Sequence, residues 1–403
     1  MELLHGVTLA EARRLLEAKW RGRPARAELV KIEQALGRRL ARAIVSPEDV
    51  PAFPRSTVDG LAVRARDTFG ASEGIPAYLD LAGEVRIGEV ASPLEAAGKA
   101  VRISTGAMLP PGTDSVVMVE YTEPLDEKTV GIVRPVGPGE NVIQTGEDIR
   151  QGAEVLAAGH LLRPADLGFL SALGISEVEV AAACRVGIIS TGDELVPVDR
   201  ELPLGRIRDS NSYTLLGLVQ EAGGEPALYG IVADDFEAQK KLIKTAVERE
   251  DLVLISGGSS AGARDMTYLV LDALNPGGIM FHGVAIKPGK PTLGADVGGR
   301  MVIGLPGHPA SAVIAFHVLI RPLLTPGQKT LVPARLNRNI ASAPGRDDFV
   351  RVRLDREGGE WVAEPLLGKS GLLNTLVGAD GLVHVPAAKQ GYRAGENIEV
   401  ELL

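Results

Sequence analysis

Apolar residues near the start of the chain recur at the spacing of one helix face. The spacing is carried by Leu9, Ala12, Leu16 and Trp20. Thr8 is followed three residues later by Glu11, the arrangement of a capping box. The pattern predicts that this first segment is helical, with Trp20 in the core.

The next segment changes from helical spacing to short alternating runs. A second helix is predicted from about residue 27 to 43, because Pro47 stops the pattern, and further prolines favour turns. Residues 77–135 contain apolar runs such as SVVMVEY and TVGIVRPV between glycine, proline and aspartate. We therefore expect an inserted β-rich domain over residues 51–138, and an N-terminal helical linker domain formed by residues 1–50 and 139–180.

From Arg185 onward, apolar runs alternate with helical patterns. Asn211 is a possible helix cap, and Gly223 with Gly224 ends that helix. The alternation predicts an α/β domain over residues 181–326 with a doubly wound, mostly parallel sheet. Its strands are predicted at 186–190, 227–232, 251–256 and 301–305, and its helices at 212–222, 236–249, 265–274 and 309–323.

Short alternating segments return after Pro326. Val350, Val352 and Leu354 share one face of a predicted strand, with Arg351 and Arg353 on the other face. A Gly358-Gly359 turn follows. Residues 327–403 are therefore predicted to form a small all-β terminal domain.

Composition narrows the class of protein. The 403 residues are long enough for two to four domains, and 45% of them are hydrophobic. The sequence has no apolar run long enough to span a membrane and no secretion signal at its start, so we expect a soluble cytoplasmic protein that does not bind membranes. A net charge of −9 argues against a general nucleic-acid surface, and Cys184, as the sole cysteine, excludes disulfide scaffolds and cysteine-rich zinc sites.

Polar residues follow each predicted strand of the α/β domain. The carboxyl ends of parallel strands meet at one edge of an open sheet, which is where such sheets bind ligands, so we expect these residues to lie close together. In chain order they are Thr191, Gly192, Asp193 and Glu194; Asp234 and Asp235; Gly257 to Ser260, then Asp265; and Pro306 to Ser311.

A loop between the last two strands adds positive charge. Prolines stiffen the run Lys287-Pro288-Gly289-Lys290-Pro291, which presents two lysines. A single aspartate or serine after a strand is as often a helix cap, and lysines are commonly just solvated. Carboxylates and lysines together favour a phosphorylated ligand with a hard divalent cation such as Mg²⁺.

Two familiar motifs, the P-loop and G-x-S-x-G, could account for the residues at this edge of the sheet. A P-loop is excluded, because Pro291 stands where that motif needs serine or threonine, and Val284 where it needs its first glycine. Gly258 to Gly262 fits G-x-S-x-G, with Asp272 and His308 downstream in hydrolase order. A serine hydrolase with Ser260 as nucleophile is thus an alternative, although it leaves the lysine loop unexplained.

Seven motifs resemble those of the molybdopterin molybdenumtransferase family, MoeA, which includes the gephyrin E domain. The likeness runs over nearly the whole chain and in the family's order. The motifs are Ser56 to Gly60 (S-x-x-D-G); Thr105 to Pro110 (TGAxxP); Asp114 to Glu120; Thr191 to Leu195 (TGDEL); Asp209 to Asn211 (D-S-N); Lys287 to Pro291 (KPGKP); and Leu305 to Ala312 (LPGxPxSA).

The resemblance implies a fold and a reaction. The central sheet would be like that of the MogA and MoaB proteins, and the terminal domain would be a small β-barrel. The reaction would be the last step of molybdenum cofactor synthesis, in which molybdate joins the dithiolene of adenylylated molybdopterin and AMP leaves, with Mg²⁺ as cofactor. The implied partners are a second copy of the chain, the molybdopterin adenylyltransferase and recipient molybdoenzymes. The cleft would lie between the α/β domain of one subunit and the inserted domain of the other.

The resemblance also assigns roles to residues. Polar groups around the nucleotide phosphate and its metal would be Asp59, Thr105, Glu194, Asp234 and Asp265, with Asp234 and Asp265 as metal ligands. Lys287, Lys290 and Ser311 would hold oxyanions, and Arg346 and Ser370 would contact molybdate. The remaining ligand-binding positions would be Thr191, Gly192, Asp193, Ser210, Gly257, Gly258 and Pro306.

The chain departs from the family pattern at several points. Leu61 stands where an aromatic residue is frequent, Ala263 where a second acidic residue is frequent, and His308 where asparagine is usual. A binding-class alternative is a scaffold that docks partner proteins without turnover, although the retained polar motifs argue against it. Molybdate and tungstate, which have nearly the same size and charge, stay open as substrates.

Overall fold

The chain forms two compact units. The computed structural model describes residues 6–21, 26–257, 266–327 and 329–403. The first unit, here called the α/β unit, combines Met1–Pro24 with Ala183–Leu403; the second, here called the β-rich unit, is Ala25–Ala182.

Eight α-helices lie within the described ranges, and none of them is both long and apolar enough to cross a membrane. A π-helical turn, Phe316–Ile320, joins the sixth helix to the seventh. The helices are α1 (Leu9–Arg21), α2 (Pro164–Ala172), α3 (Asn211–Glu221), α4 (Phe236–Arg249), α5 (Met266–Leu274), α6 (Pro309–Ala315), α7 (Arg321–Leu324) and α8 (Asn374–Val377).

Strands make up most of the remaining regular structure. Those of the β-rich unit are β1 (Ala27–Lys31), β2 (Ile44–Val45), β3 (Arg55–Ser56), β4 (Gly60–Val63), β5 (Ala77–Val85), β6 (Lys99–Ile103), β7 (Ser115–Met118), β8 (Thr122–Pro124), β9 (Thr129–Ile132), β10 (Val142–Ile143), β11 (Glu154–Leu156) and β12 (Glu177–Ala181). Those of the α/β unit are β13 (Arg185–Thr191), β14 (Leu195–Val196), β15 (Ile207–Arg208), β16 (Glu225–Val232), β17 (Leu252–Ser256), β18 (Ile279–His282), β19 (Ile286–Lys287), β20 (Leu293–Val297), β21 (Arg300–Leu305), β22 (Leu331–Leu336), β23 (Ile340–Ala341), β24 (Asp347–Glu357), β25 (Glu360–Pro365), β26 (Gly381–Val385), β27 (Gly391–Tyr392) and β28 (Asn397–Leu402).

The first helix forms where the sequence predicts it. The backbone N–H of Glu11 donates to Thr8 Oγ1 over 3.2 Å, as the capping pattern requires. Leu9, Ala12 and Leu16 are buried in the core of the α/β unit, and Trp20 packs against that core. The prediction of an amphipathic N-terminal helix is confirmed.

The central sheet is buried on both faces. Its strand order is β16-β13-β17-β21-β20-β18, and the first four strands are parallel. Val186 and Ile188 of β13 face the core that also contains α1 and α3, whereas Ile189 faces the core formed with α4 and α5. Because side chains alternate along a strand, helices on both sides are needed to cover these strands. The predicted doubly wound, mostly parallel sheet is confirmed, and two antiparallel strands extend one edge.

One detail at the start of α3 differs from the prediction. Asn211 is the first residue of the helix and not its cap, because Ser210 holds the cap position. The side chain that caps the helix is that of Asp209, whose Oδ1 accepts from the backbone N–H of Ser212 over 3.0 Å. This leaves the Asn211 amide available for contacts elsewhere.

The terminal part of the α/β unit is a closed β-barrel. β24, β25, β22, β28 and β26 pair in that order, and pairing of β26 with β24 closes the ring. Val352 is fully buried inside it. Arg351 lies on the face opposite Val352, as the alternation predicts, and its side chain is buried as well, with its guanidinium donating to Thr375 Oγ1 and the Gly368 carbonyl. The segment after β25 covers this face of the strand, which alternation within the strand does not reveal.

The β-rich unit contains a six-stranded sheet in the order β7-β4-β6-β5-β9-β8. The helix predicted over residues 27–43 is wrong. That stretch forms β1, a short 3₁₀ turn at Ile32–Gln34 and the approach to β2. β1 pairs antiparallel with β12, so Val30 and Ile32 pack on a small core with a period of two. Pairing with a strand about 150 residues away overrides the local helical preference.

The partly buried Glu401 connects the last strand to the π-helical turn. His317 Nε2 lies 3.0 Å from Glu401 Oε1, and Lys329 Nζ lies 2.8 Å from Glu401 Oε2. Burial raises the pKa of Glu401, but the hydrogen bonds and charges of His317 and Lys329 outweigh burial and lower it to about 2. The ionised carboxylate therefore stabilises the folded state.

We expect Glu401→Gln to lower the free energy of unfolding at pH 7 by about 1–2 kcal/mol, because a pKa unit corresponds to about 1.4 kcal/mol and solvent around this partly exposed group screens part of the interaction. The contribution is fully present above the ordinary pKa of 4.5 and declines as the pH falls from there toward about 2. In urea unfolding, the difference in free energy of unfolding between wild type and variant should therefore become smaller below pH 4.5. Glu399→Gln, at an exposed position of β28, is the control and should track wild type. If this difference stays constant down to pH 3.5, the ionised form of Glu401 does not stabilise the folded state.

Candidate functional site

Three carboxylates gather at the carboxyl edge of the central sheet. The backbone N–H of Asp234 donates to Asp193 Oδ1 over 3.2 Å, which joins the loops that follow β13 and β16. Partial burial, then the negative charges of Asp193 and Glu194, raise the pKa of Asp234. The predicted neighbourhood of Asp193, Glu194 and Asp234 is thus present, and it carries uncompensated negative charge.

Close backbone contact shapes the same edge. Gly257 has φ +103°, and a Cβ at this position would lie 2.1 Å from the carbonyl oxygen of Thr191. Thr191 itself is buried, and its Oγ1 has no hydrogen-bond partner among the described residues. The loops after β13 and β17 can approach this closely only because position 257 is glycine.

Asn211 connects two further loops of this edge. Its Nδ2 donates to Ser256 Oγ over 2.7 Å and to the Gly307 carbonyl over 2.8 Å. The side chain is buried, and within the described residues its Oδ1 accepts no hydrogen bond. One side chain therefore sets the spacing between the end of β17 and the turn that leads into α6.

The lysine loop lies against both the sheet edge and the barrel. A Cβ on Gly289 would lie 3.6 Å from the Ser311 carbonyl, so this loop passes beside the start of α6. Lys287 Nζ lies 3.7 Å from Asp348 Oδ2, and Arg346 Nε donates to Asp348 Oδ1 over 2.9 Å. Lys287 and Arg346, which the sequence analysis assigned to oxyanion binding, therefore share one carboxylate.

The second barrel residue also meets the sheet edge. Ser370 Oγ lies 3.1 Å from His308 Nδ1, and the Ser370 carbonyl accepts from the N–H of Ala310 over 3.1 Å. The buried Ser311 follows in the same turn. Ser370 is thus placed beside the loop formed by Pro306 to Ser311, next to the residue that departs from the usual asparagine.

Asp59 and Thr105 lie together in the β-rich unit. Asp59 Oδ1 accepts from the backbone N–H of Thr105 over 2.9 Å, and both residues are exposed. Gly60 allows this turn, because a Cβ there would lie 1.9 Å from the Val117 carbonyl oxygen of the neighbouring strand. The pair predicted from two distant motifs is therefore one local structure.

Residues 258–265 lie outside the described residues, and with them the predicted Gly258, Ser259, Ser260 and Asp265. The metal role of Asp265 and the nucleophile of the hydrolase alternative therefore stay predictions. His308, the base of that alternative, contacts Ser370. Lys290 is exposed, and Ser210 precedes α3 with its carbonyl accepting from the Thr214 N–H.

The cluster of Asp193, Glu194 and Asp234 fits a magnesium ion whose coordination shell is completed by substrate and water. In the part of the chain that the structure describes, no three His, Cys, Asp or Glu side chains form a closed metal cage. Mg²⁺ usually takes only one or two protein carboxylates and fills its shell with water and phosphate oxygens. Burial first, and then the negative charges of Asp193 and Glu194, raise the pKa of Asp234, and a cation would relieve the repulsion among these carboxylates.

The structure also contains an apolar cavity of about 300 Å³ away from these groups. Its lining includes Leu218 of α3, Phe316 of the π-helical turn and Leu376 of α8. None of the predicted site residues lines it. The polar groups at the strand ends, and not this cavity, match the chemistry expected from the sequence.

Two residues that organise the site were not predicted to do so. Asn211 was predicted only as a helix cap and as part of the D-S-N motif, and Asp348 had no predicted role. The D-S-N motif was the signal that could have singled out Asn211. For Asp348 the local signal was its place two residues after Arg346, which donates to it, whereas its contact with the distant Lys287 could not be read from the sequence.

Comparison with known proteins agrees with this geometry over almost the whole chain. Residues 7–174 match the family described as "MoeA N-terminal region (domain I and II)", residues 187–326 a "Probable molybdopterin binding domain", and residues 333–403 the "MoeA C-terminal region (domain IV)". The three segments contain all of the predicted site residues.

Individual relatives match at full length. A putative molybdopterin biosynthesis protein of Methanocaldococcus jannaschii is 39% identical, with 93% of this chain and 92% of that protein covered. The molybdopterin molybdenumtransferase of Haemophilus influenzae is 34% identical, with 94% of each chain covered. The crystal structure of a molybdopterin biosynthesis MoeA protein from Pyrococcus horikoshii superposes with a TM-score of 0.88 at 38% identity, covering 98% of this chain and 99% of the other. The chain therefore belongs to the MoeA family.

Proposed function

We propose that this chain is a molybdopterin molybdenumtransferase that acts in molybdenum cofactor synthesis. In this reaction molybdate joins the dithiolene of adenylylated molybdopterin, and AMP is released. The supporting observation is the full-length similarity to molybdenumtransferases of Haemophilus influenzae and Bacillus subtilis, at 34% and 31% identity. The charge pattern of the sheet edge suits the same substrates.

The two kinds of charge at the site suit two parts of the reaction. Asp193, Glu194 and Asp234 would face the nucleotide phosphates through a divalent cation, since carboxylates alone would repel them. Lys287 and Arg346 would receive the tetrahedral dianion, because cationic N–H donors bind oxyanions with short, strong hydrogen bonds. Ser370 would add a hydroxyl to the same oxyanion.

Magnesium is part of this proposal. When bound, Mg²⁺ would supply charge neutralisation at the phosphate that leaves with AMP. Asp234 would hold it, with Asp193 and Glu194 close enough to strengthen the local negative potential. Asp265 stays the second proposed ligand.

The partners and location expected from the resemblance belong to the same proposal. They are a homodimer, contacts with the molybdopterin adenylyltransferase and recipient molybdoenzymes, and a cytoplasmic setting. A scaffold role without turnover is the competing function. The retained carboxylates and lysines favour the enzyme.

We expect the purified protein to release AMP from adenylylated molybdopterin only when Mg²⁺ and an oxyanion are both present. Chromatographic detection of AMP, with molybdate, tungstate or no oxyanion, measures this directly. A higher rate with one oxyanion identifies the substrate. A folded protein that binds the nucleotide but releases no AMP under any condition would support the scaffold role instead.

We expect Asp234→Asn to raise the Mg²⁺ concentration that gives half-maximal AMP release by about tenfold or more, because a metal-facing carboxylate is lost. Asp235→Asn is the matched control. Asp235 Oδ1 caps α4 by accepting from Ala238 N–H over 2.8 Å, and asparagine caps equally well. Equal Mg²⁺ requirements in wild type and the Asp234 variant would remove Asp234 from the metal site.

A further inference from the structure

Asp348 is a buried carboxylate between two cationic side chains. Only 3% of the residue is exposed, whereas the side chains of Lys287 and Arg346 are 56% and 38% exposed. Its two oxygens are divided between the partners: Oδ1 accepts from Arg346 Nε over 2.9 Å, and Oδ2 lies 3.7 Å from Lys287 Nζ. The carboxylate therefore contacts both cations, and part of each cationic side chain is exposed to solvent.

Strand pairing fixes this arrangement. β19 pairs in parallel with β24, with Lys287 opposite Asp348 in the register. On its other side, Asp348 is opposite Val385 of β26. Opposed residues in a sheet project to the same face, so the lysine and the carboxylate meet without depending on loop conformation. The short β19 thus connects the lysine loop to the barrel at one defined register.

The contact leaves both cations able to bind another anion. Arginine has five N–H donors, and a contact through Nε leaves the terminal amino groups as a pair of donors. A lysine ammonium has three donors, of which a carboxylate at 3.7 Å uses little. Two cations that share one buried carboxylate can contact one tetrahedral oxyanion at a smaller cost in conformational entropy than two independent side chains.

We propose that Asp348 is a positioning residue for the oxyanion substrate: its carboxylate sets the separation of Lys287 and Arg346 so that both contact the same oxyanion. This inference rests on the proposed function and adds to it a residue that never touches substrate.

The two roles that Asp348 could have, neutralising its neighbours or positioning them, predict opposite effects on dianion binding when its carboxylate is removed. If Asp348 only neutralised its neighbours, Asp348→Asn would increase the local positive potential and strengthen binding of a dianion. If Asp348 positions them, the variant leaves two repelling cations without their common partner, and binding of the dianion weakens. The sign of the change in molybdate affinity therefore distinguishes the two roles.

The test compares Asp348→Asn with Asp347→Asn in the full-length protein. Asp347 is the adjacent residue, and its Oδ1 contacts His384 Nε2 at 2.7 Å, away from the two cations. AMP release is measured against molybdate at saturating nucleotide and Mg²⁺, and molybdate binding is measured separately by titration calorimetry. We expect the molybdate KM and Kd to rise about tenfold in the Asp348 variant, with kcat within about twofold of wild type and the nucleotide KM unchanged. The Asp347 variant should match wild type.

Two further variants keep the test decisive. If Asp348→Asn lowers the thermal midpoint or the folded yield, Asp348→Glu retains the charge but displaces it by one methylene, and it should also raise the molybdate KM. In a Lys287→Ala background, Asp348→Asn should cause a smaller additional rise in the molybdate KM than it does alone, because the two residues act together.

The outcomes separate the two proposals. An unchanged or lower molybdate KM and Kd in the Asp348 variants, fully additive effects with Lys287→Ala, or an equal loss in the Asp347 variant would overturn the positioning role while wild type stays active. A wild-type protein that neither binds molybdate nor releases AMP in response to it would overturn the proposed function, and this inference with it.

Discussion

Burial of the central sheet on both faces is the constraint on which the site depends. β13, β17 and β21 lie between two helical layers, so their interior positions are apolar on both sides. Polar chemistry is then confined to the strand ends, where side chains reach solvent without burying an unpaired charge. All of these strand ends lie at the same carboxyl edge, because the strands are parallel. The carboxylates, the glycine turns and the start of α6 are neighbours for this reason.

The two charged parts of the site are prepared in different ways. Lys287 and Arg346 share the carboxylate of Asp348, which balances one of their two positive charges and so lessens their mutual repulsion. The carboxylates near Asp234 have neighbours of the same sign, and, after burial, the negative charges of Asp193 and Glu194 raise the pKa of Asp234. A site with the proposed function, which would bind both a dianion and a metal-bound phosphate, needs this asymmetry. Its cations must be fixed in space, whereas its anions must hold affinity for a cation that arrives with the substrate.

Sequence patterns predicted those parts of the fold in which local and long-range preferences agree. The strands of the central sheet are continuous apolar runs bounded by glycine and polar residues, and the helices between them have regular apolar faces, so position and type were both evident. The stretch from Ala27 to Lys31 is different. It has a weak helical pattern, but β12 offers it a pairing partner, and the backbone hydrogen bonds of that pairing decide the outcome. The alternation of β24 places Arg351 on the correct face, but it does not show that this face is buried, because the segment that covers Arg351 comes after the strand.

The same reasoning explains which site residues were found. Asp193, Glu194 and Asp234 follow their own strands directly, so topology alone brings them to one edge. Asn211 contacts Ser256 and Gly307, and Asp348 contacts Lys287 as well as the nearby Arg346, so the folded structure is needed to reveal the distant partners of both. His308 was found partly from the sequence, which showed that it stands where asparagine is usual. Its contact was not predicted: His308 Nδ1 lies 3.1 Å from Ser370 Oγ in the terminal part of the unit. The substitution therefore does not stand alone in its loop. It has a polar partner on the barrel side, so its effect on the site must be judged together with Ser370, and a change at either position alters a contact between the turn before α6 and the barrel.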